Sequence, residues 1–210
     1  MGDYQASFQD LVSSLPESSR ILDLGCGIGF LLFWLERSNL GKFQLTGIDV
    51  SPNQLVLARK HLPEHVMLFE QDAATFLENK SRAFSAIFCT DILEHIEGDN
   101  ELLQLMQLIR NSLEPGGIVV CQVPNMANLT GLQLRYIDLT HTRGFTGSSL
   151  LQLLEGSGFR DCRVINRCAA DFTQRIRMSV EKVLHRFVYR ICGVGNERHF
   201  HRTIIAVGKT

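Results

Sequence analysis

Three glycines, Gly25, Gly27 and Gly29, follow the apolar run Ile21-Leu22-Asp23-Leu24 and lead into Phe30-Leu31-Leu32-Phe33-Trp34-Leu35. A strand that turns through glycines into a helix lets the backbone bend sharply and approach a ligand, whose polar groups meet the unpaired N–H groups at the helix start. Two ligand classes use such a turn, and the third glycine separates them. A dinucleotide turn, G-x-G-x-x-G, requires glycine at position 30, which is Phe30. Asp23 places a carboxylate just ahead of the turn, unfavourable beside pyrophosphate but favourable beside a cation such as a sulfonium or α-ammonium group. The pattern points to a zwitterionic, phosphate-free ligand.

Further carboxylates follow at regular stations. Thr46-Gly47-Ile48-Asp49-Val50-Ser51 ends an apolar run in an acid 20 residues after Gly29, where an acidic side chain at a second strand tip reaches two ribose hydroxyls. Asp72, in Phe69-Glu70-Gln71-Asp72-Ala73, stands where a carboxylate can accept a hydrogen bond from an adenine amino group. D-x-G-x-G-x-G with acids ending the second and third strands resembles the class I S-adenosylmethionine-dependent methyltransferase superfamily over nearly the whole chain. The resemblance implies that Asp23, Gly25, Gly27 and Gly29 line the methionine part of S-adenosylmethionine, Asp49 the ribose, and Asp72 with Ala73 the adenine. Cys26, Val50 and Thr90 complete the expected cofactor-binding set.

Two segments bear on the acceptor. Phe88-Cys89-Thr90-Asp91-Ile92-Leu93-Glu94-His95-Ile96 is similar to a segment of methyltransferases acting in quinone, small-molecule and sugar pathways, and the Asn/Asp-Pro-Pro-aromatic run of nucleic-acid amino methyltransferases is absent. Asp138-Leu139-Thr140-His141-Thr142-Arg143-Gly144-Phe145-Thr146 resembles a D-x-T-H-x-R-x-F-T stretch associated with polysaccharide and related glycan biosynthesis. Methyl transfer to a hydroxyl needs a proton acceptor, and an imidazole has a suitable pKa. His141 is the expected base, Asp138 its orienting partner, His95 a further catalytic candidate, and Tyr136 and Arg143 substrate contacts. The competing structural reading has Asp138 and Thr140 capping a turn while His141 bonds a backbone carbonyl. The acceptor expected is a small molecule or a glycan, methylated on oxygen or nitrogen.

Strand-like and helix-like segments alternate along the chain, which predicts an α/β, Rossmann-like fold: a seven-stranded, mostly parallel sheet with helices on both faces. Strands are expected at Arg20–Leu24, Phe43–Asp49, Val66–Glu70, Phe84–Thr90, Ile118–Val123, Cys162–Cys168 and Thr203–Gly208, and helices at Asp3–Leu15, Gly29–Ser38, Pro52–His61, Asn100–Leu113, Ser148–Gly156 and Thr173–Ile191. Ser51 before Pro52 reads as an N-cap, and Glu114-Pro115-Gly116-Gly117 as a helix stop and turn. The 210 residues suit a single domain, 1–210, with a helical insertion at about 171–195 before the last strand.

Net charge is −1, but residues 1–159 carry 10 Lys and Arg against 18 Asp and Glu, and residues 160–210 carry 11 against 4. The basic segment includes Arg175, Arg177, Lys182, Arg186 and Arg190 around an apolar stripe of Ile176, Val180, Val183, Leu184, Phe187, Val188 and Ile191. Such a helix can be a lid, a dimer surface or a peripheral membrane contact through 173–191; packing on its own domain with a solvated basic face is the simplest reading. The six cysteines contain no C-x-x-C pair, which suits a reducing compartment. No basic-then-apolar leader or membrane span is seen, so a cytoplasmic location is expected, with the inner membrane surface as the alternative. His199 and His201 are a poor metal pair, and no metal is expected. Nucleic acid is not an expected partner; the chain is expected to be a monomer or homodimer.

Overall fold

The computed structural model describes residues 2–39, 42–165, 169, 171–193 and 198–210. In chain order the elements are α1 (Gly2–Ser13), β1 (Arg20–Leu24), α2 (Phe30–Asn39), β2 (Gln44–Asp49), α3 (Pro52–Arg59), β3 (Met67–Glu70), α4 (Ala73–Leu77) and β4 (Phe84–Thr90). A 3-10 turn (Leu93–His95) follows, then α5 (Asp99–Ser112), β5 (Leu113–Pro124), α6 (Gly131–Tyr136), α7 (Gly147–Gly156), β6 (Arg160–Ile165), α8 (Phe172–Ile191) and β7 (Thr203–Lys209). The strands form a seven-stranded sheet ordered β3-β2-β1-β4-β5-β7-β6, parallel except at β7, which runs antiparallel to both neighbours.

The central strands read as unbroken apolar runs because both sheet faces are covered and side chains alternate between them. In β4, Ile87 and Cys89 enter a core with α5 and α7 residues Leu105, Ile109, Leu150 and Leu154. Ala86 and Phe88 enter the opposite core, with Phe8, Leu31, Leu32, Leu35 and Ala58 from α1, α2 and α3. Parallel register sets the tips of β1, β2 and β3 side by side, pairing Leu24 with Ile48 and Ile48 with Phe69. The loops after these strands therefore crowd one edge, where ligands bind in open α/β sheets.

Several boundaries differ from expectation for local reasons. Glu114–Gly117 follows directly on the end of α5 at Ser112, as expected, but turns inside β5 rather than ahead of it: Phe84 pairs with Leu113 and Ala86 with Ile118, so the four residues bulge out, with Gly116 at φ +80°. Ser51 occupies the N-cap position of α3 without a side-chain cap bond. Short α4 and α6 were not anticipated, since five or six residues show too little periodicity to register. Of the strand expected at Cys162–Cys168, residues 166–168 lie outside the described residues, as do 194 and 195 of the expected insertion. Five cysteines, Cys26, Cys89, Cys121, Cys162 and Cys192, are free thiols.

Candidate functional site

The glycine turn is built by backbone bonds that need unusual dihedrals. Cys26 N–H donates to the Ile48 carbonyl (2.9 Å) and Gly29 N–H to the Cys26 carbonyl (2.8 Å), tying the turn to β2. Gly25, Gly27 and Gly29 all have positive φ. Gly27 has open space where a Cβ would stand, so its requirement is the left-handed backbone at φ +51°. A Cβ on Gly29 would lie 2.7 Å from Leu62 and 3.2 Å from Ala58. Gly29, at φ +75°, therefore needs both its left-handed backbone and the missing Cβ, which lets the turn pack against Leu62 and the α3 side.

Asp49 ends β2 with each carboxylate oxygen fixed: Oδ2 accepts from Gly27 N–H at 2.8 Å and Oδ1 from Ser51 N–H at 2.9 Å. Each oxygen retains capacity for another donor, so the group is a preset acceptor pair. Asp23 is only 2% exposed and lies on the face of β1 shared with Ile21. Burial, and then the neighbouring Asp49 charge, push its pKa up to about 8. A cation brought beside Asp23 favours the ionised carboxylate and displaces that proton. The Cys26 thiol is pushed well up by burial and stays protonated. Val50 is exposed beside Asp49, and Thr90 ends β4 with its Oγ1 buried and without a hydrogen-bond partner among the described residues.

Asp72 is not a strand tip. β3 ends at Glu70, and Asp72 caps α4, its Oδ1 accepting from Thr75 N–H (3.1 Å) and Thr75 Oγ1 (3.3 Å). Ala73 opens that helix beside it.

The second cluster joins the 3-10 turn after β4 to the loop before α7. Thr142 N–H donates to the Glu94 carbonyl (2.8 Å), and the Arg143 guanidinium donates to the Ile96 and Glu97 carbonyls and pairs with Asp99 Oδ1 at 2.9 Å. Arg143 is therefore a clamp between loops, a correction to its expected substrate role. The Asp138 carboxylate does not hydrogen-bond the His141 ring, although the His141 backbone N–H donates to the Asp138 carbonyl at 3.3 Å: Asp138 Oδ1 accepts from Thr140 N–H (2.8 Å) and Oγ1–H (2.7 Å), and Thr140 Oγ1 contacts His95 Nδ1 at 2.9 Å. The Thr140 bonds also hold the Asp138 carboxyl below its ordinary range. His141 Nδ1 donates to the Leu134 carbonyl at 2.9 Å instead. The expected Asp138–His141 pair is corrected to Asp138–Thr140–His95, with the two imidazole rings edge to face at 4.8 Å. Tyr136 is exposed, with the Arg135 guanidinium over its ring.

Glu94 had been assigned no role. It is 1% exposed, neither carboxylate oxygen has a hydrogen-bond partner among the described residues, and burial pushes its pKa up to about 8. The available signal was an acid standing inside Ile92-Leu93-Glu94-His95-Ile96 directly after a strand. Asn125 was also missed: wholly buried after β5, it donates to the His199 and His201 carbonyls and accepts from Ala127 N–H, tying the loop to the segment before β7.

Helix α8 docks by its polar residues. Buried His185 donates from Nδ1 to the Glu181 carbonyl, its Nε2 accepts from Leu129 N–H at 2.8 Å, and Tyr189 O–H donates to the Ala127 carbonyl at 2.7 Å. Ile176, Val180, Val183, Leu184, Phe187 and Ile191 are exposed. The helix is thus seated on its own domain with its basic side chains exposed, as in the simplest reading, but through His185 and Tyr189, with most of the apolar stripe facing outward. Among the described residues no helix is long and apolar enough to cross a membrane.

A family model described as a methyltransferase domain matches residues 2–164. A protein described as putative methyltransferase YqeM, from Bacillus subtilis (strain 168), is 28% identical over 113 residues, 53% of this chain and 44% of that protein. A ubiquinone biosynthesis O-methyltransferase of Actinobacillus pleuropneumoniae serotype 5b (strain L20) is 30% identical over 107 residues, 48% of this chain and 43% of that one. The chain thus spans less than half the length of these curated relatives. The same fold occurs in a SAM-dependent methyltransferase from Archaeoglobus fulgidus, with TM-score 0.71, 18% identity and coverage of 97% and 91% of the two chains. A second, S-adenosylmethionine-dependent, from Mesorhizobium loti, gives 0.67 at 20% identity over 100% of both.

Proposed function

This chain belongs to the methyltransferase domain family, and from that premise we propose that it transfers a methyl group from S-adenosylmethionine to an oxygen, or a nitrogen, of a small or sugar-containing acceptor. The observation carrying this reading is the glycine turn locked to a carboxylate, Gly27 N–H on Asp49, with buried Asp23 behind it. The donor set suits the cofactor: a fixed acceptor pair at Asp49 matches two ribose hydroxyls, and an acid whose proton is displaced by positive charge matches a sulfonium and an ammonium. Asp72 and Ala73 border the adenine side, and Gly25, Cys26, Val50 and Thr90 complete the wall. S-adenosylmethionine supplies an electrophilic methyl group on a positively charged sulfur.

The chain's own work is to position the acceptor and to take its proton. His141, its Nδ1 committed to Leu134, keeps the Nε2 lone pair in its neutral form and serves as proton acceptor. His95, braced through Thr140 to Asp138, stands edge to face against the His141 ring, and Tyr136 is exposed. A glycan-biosynthetic acceptor is favoured by the 138–146 segment; a quinone-like acceptor is the second reading, favoured by the relatives named as ubiquinone biosynthesis O-methyltransferases. The exposed apolar face of α8, with Arg175, Arg177, Lys182, Arg186 and Arg190 around it, supports peripheral contact with an anionic membrane that carries the acceptor, and so a cytoplasmic site at the inner surface.

Calorimetric titration tests the assignment. S-adenosylmethionine is expected to bind and NAD to give no heat, with Asp49→Ala weakening the former at least tenfold. NAD binding without S-adenosylmethionine binding refutes the proposal. Turnover separates an enzyme from a non-catalytic binding module, and a His141→Ala variant with full turnover removes the base assignment alone.

A further inference from the structure

We infer that Glu94, His95 and His141 form a binding site for a first-row divalent transition-metal ion of the zinc class. The inference goes beyond methyl transfer and does not depend on it. One ring nitrogen of each histidine and one carboxylate oxygen of Glu94 lie within 4.8 Å of one another, on loops pinned together by Thr142 and Arg143. Around a tetrahedral ion with bonds of about 2.1 Å, ligand atoms sit about 3.4 Å apart, a contraction that side-chain rotation can supply.

Hydrogen bonding leaves each histidine with a lone pair to offer. The Leu134 carbonyl can only accept, so His141 Nδ1 carries the proton and, in the neutral ring, Nε2 carries the lone pair. Thr140 Oγ1 gives its own proton to Asp138, so it accepts from His95 Nδ1, and His95 Nε2 is left in the same state. An imidazole held through Nδ1–H by a carbonyl, or by a hydroxyl backed by a carboxylate, is the usual outer shell of a metal-ligating histidine. A purely structural role for the loop accounts for these Nδ1 bonds.

It does not account for Glu94. Two carboxylate oxygens buried without a partner among the described residues are costly unless a proton or a cation meets them. Two imidazoles beside the carboxylate make the cation the better match, and the mixed nitrogen and oxygen set selects zinc-class ions over calcium or magnesium, which favour all-oxygen shells. Three protein ligands leave a coordination position open, as in catalytic rather than structural zinc sites. A hydroxyl bound there would lose its proton more readily, so the proton-accepting role of His141 belongs to the ion-free protein.

The test is binding of zinc alone to the full chain after chelator treatment and dialysis, read by calorimetry, with cobalt(II) as the spectroscopic probe. One zinc per chain is expected, weakened at least about 100-fold in both Glu94→Gln and His141→Ala, and unchanged in His201→Ala. The cobalt form is expected to show the strong visible bands of four- or five-coordination. Absence of zinc binding, binding that survives both site variants, or loss of binding in His201→Ala overturns the inference, as does the weak spectrum of six-coordinate aqueous cobalt. Should circular dichroism show that Glu94→Gln does not fold, His95→Ala and His141→Ala, on half-buried loop positions, decide the matter by the same readouts.

Discussion

Asp23 and Glu94 are acids that folding makes harder to ionise, with folded pKa values pushed up to about 8 chiefly by burial. Between the ordinary carboxylate range and pH 8 the folded chain therefore holds protons that the unfolded chain has released. Stability falls as pH rises through that window and levels off above it, by at most about 1.4 kcal/mol per pH unit for each group. Thermal denaturation of the ligand-free protein should show its midpoint dropping from pH 5 to pH 8, with a shallower slope in Asp23→Asn; a midpoint that rises over this range contradicts the assignment. Binding of a sulfonium compound beside Asp23 should release a proton, so its affinity increases towards pH 8. The sequence displays Asp23, Asp49 and the glycines at their stations, because the turn is local and each residue type has a local reason. Glu94 shows in sequence only as an acid inside an apolar segment, because the loop before α7 that bonds its carbonyl through Thr142 lies more than forty residues away.

At the scale of elements, α8 shows why a periodic stripe is not a packing direction. Its apolar positions recur at helical spacing, yet the helix is seated by His185, 3% exposed, and Tyr189, while Phe187 is 62% exposed. Removing His185 strips the Leu129 N–H of its acceptor, so His185→Ala should cost about 1–3 kcal/mol in chemical denaturation. Val183→Glu with Phe187→Glu should change stability by less than about 0.5 kcal/mol, because those side chains face outward. The same double variant should abolish co-sedimentation with vesicles containing anionic phospholipid, which the wild-type chain is expected to show. Wild-type sedimentation as a dimer that this variant dissolves, without vesicle binding, would assign the face to a second copy instead. Other exposed apolar side chains cluster after α6, where Ile137 and Leu139, the latter 99% exposed, adjoin Asp138 and the proposed acceptor side.

Across the whole molecule, one sheet serves two cores, with Leu32 buried on one face and Leu150 on the other. A shared sheet couples them, so we expect residues 1–210 to behave as one domain and unfold in a single calorimetric transition. Leu32→Ala and Leu150→Ala should each lower that transition by about 2–5 kcal/mol; two resolved transitions, each sensitive to one variant, would show separate units. The alternation of apolar runs with helical stretches, the glycine spacing and the acids at 23 and 49 were enough to specify the α/β class and the cofactor, because each depends on neighbours within a strand, a turn or a helix start. Tertiary structure decided the rest: that β7 runs antiparallel between β5 and β6, that Asp138 serves His95 through Thr140, that Arg143 clamps loops, that α8 docks through its polar face, and that Glu94 meets two histidines. Each of these is a pairing between segments distant in the chain, and residue spacing carries no information about which buried partner a side chain will find.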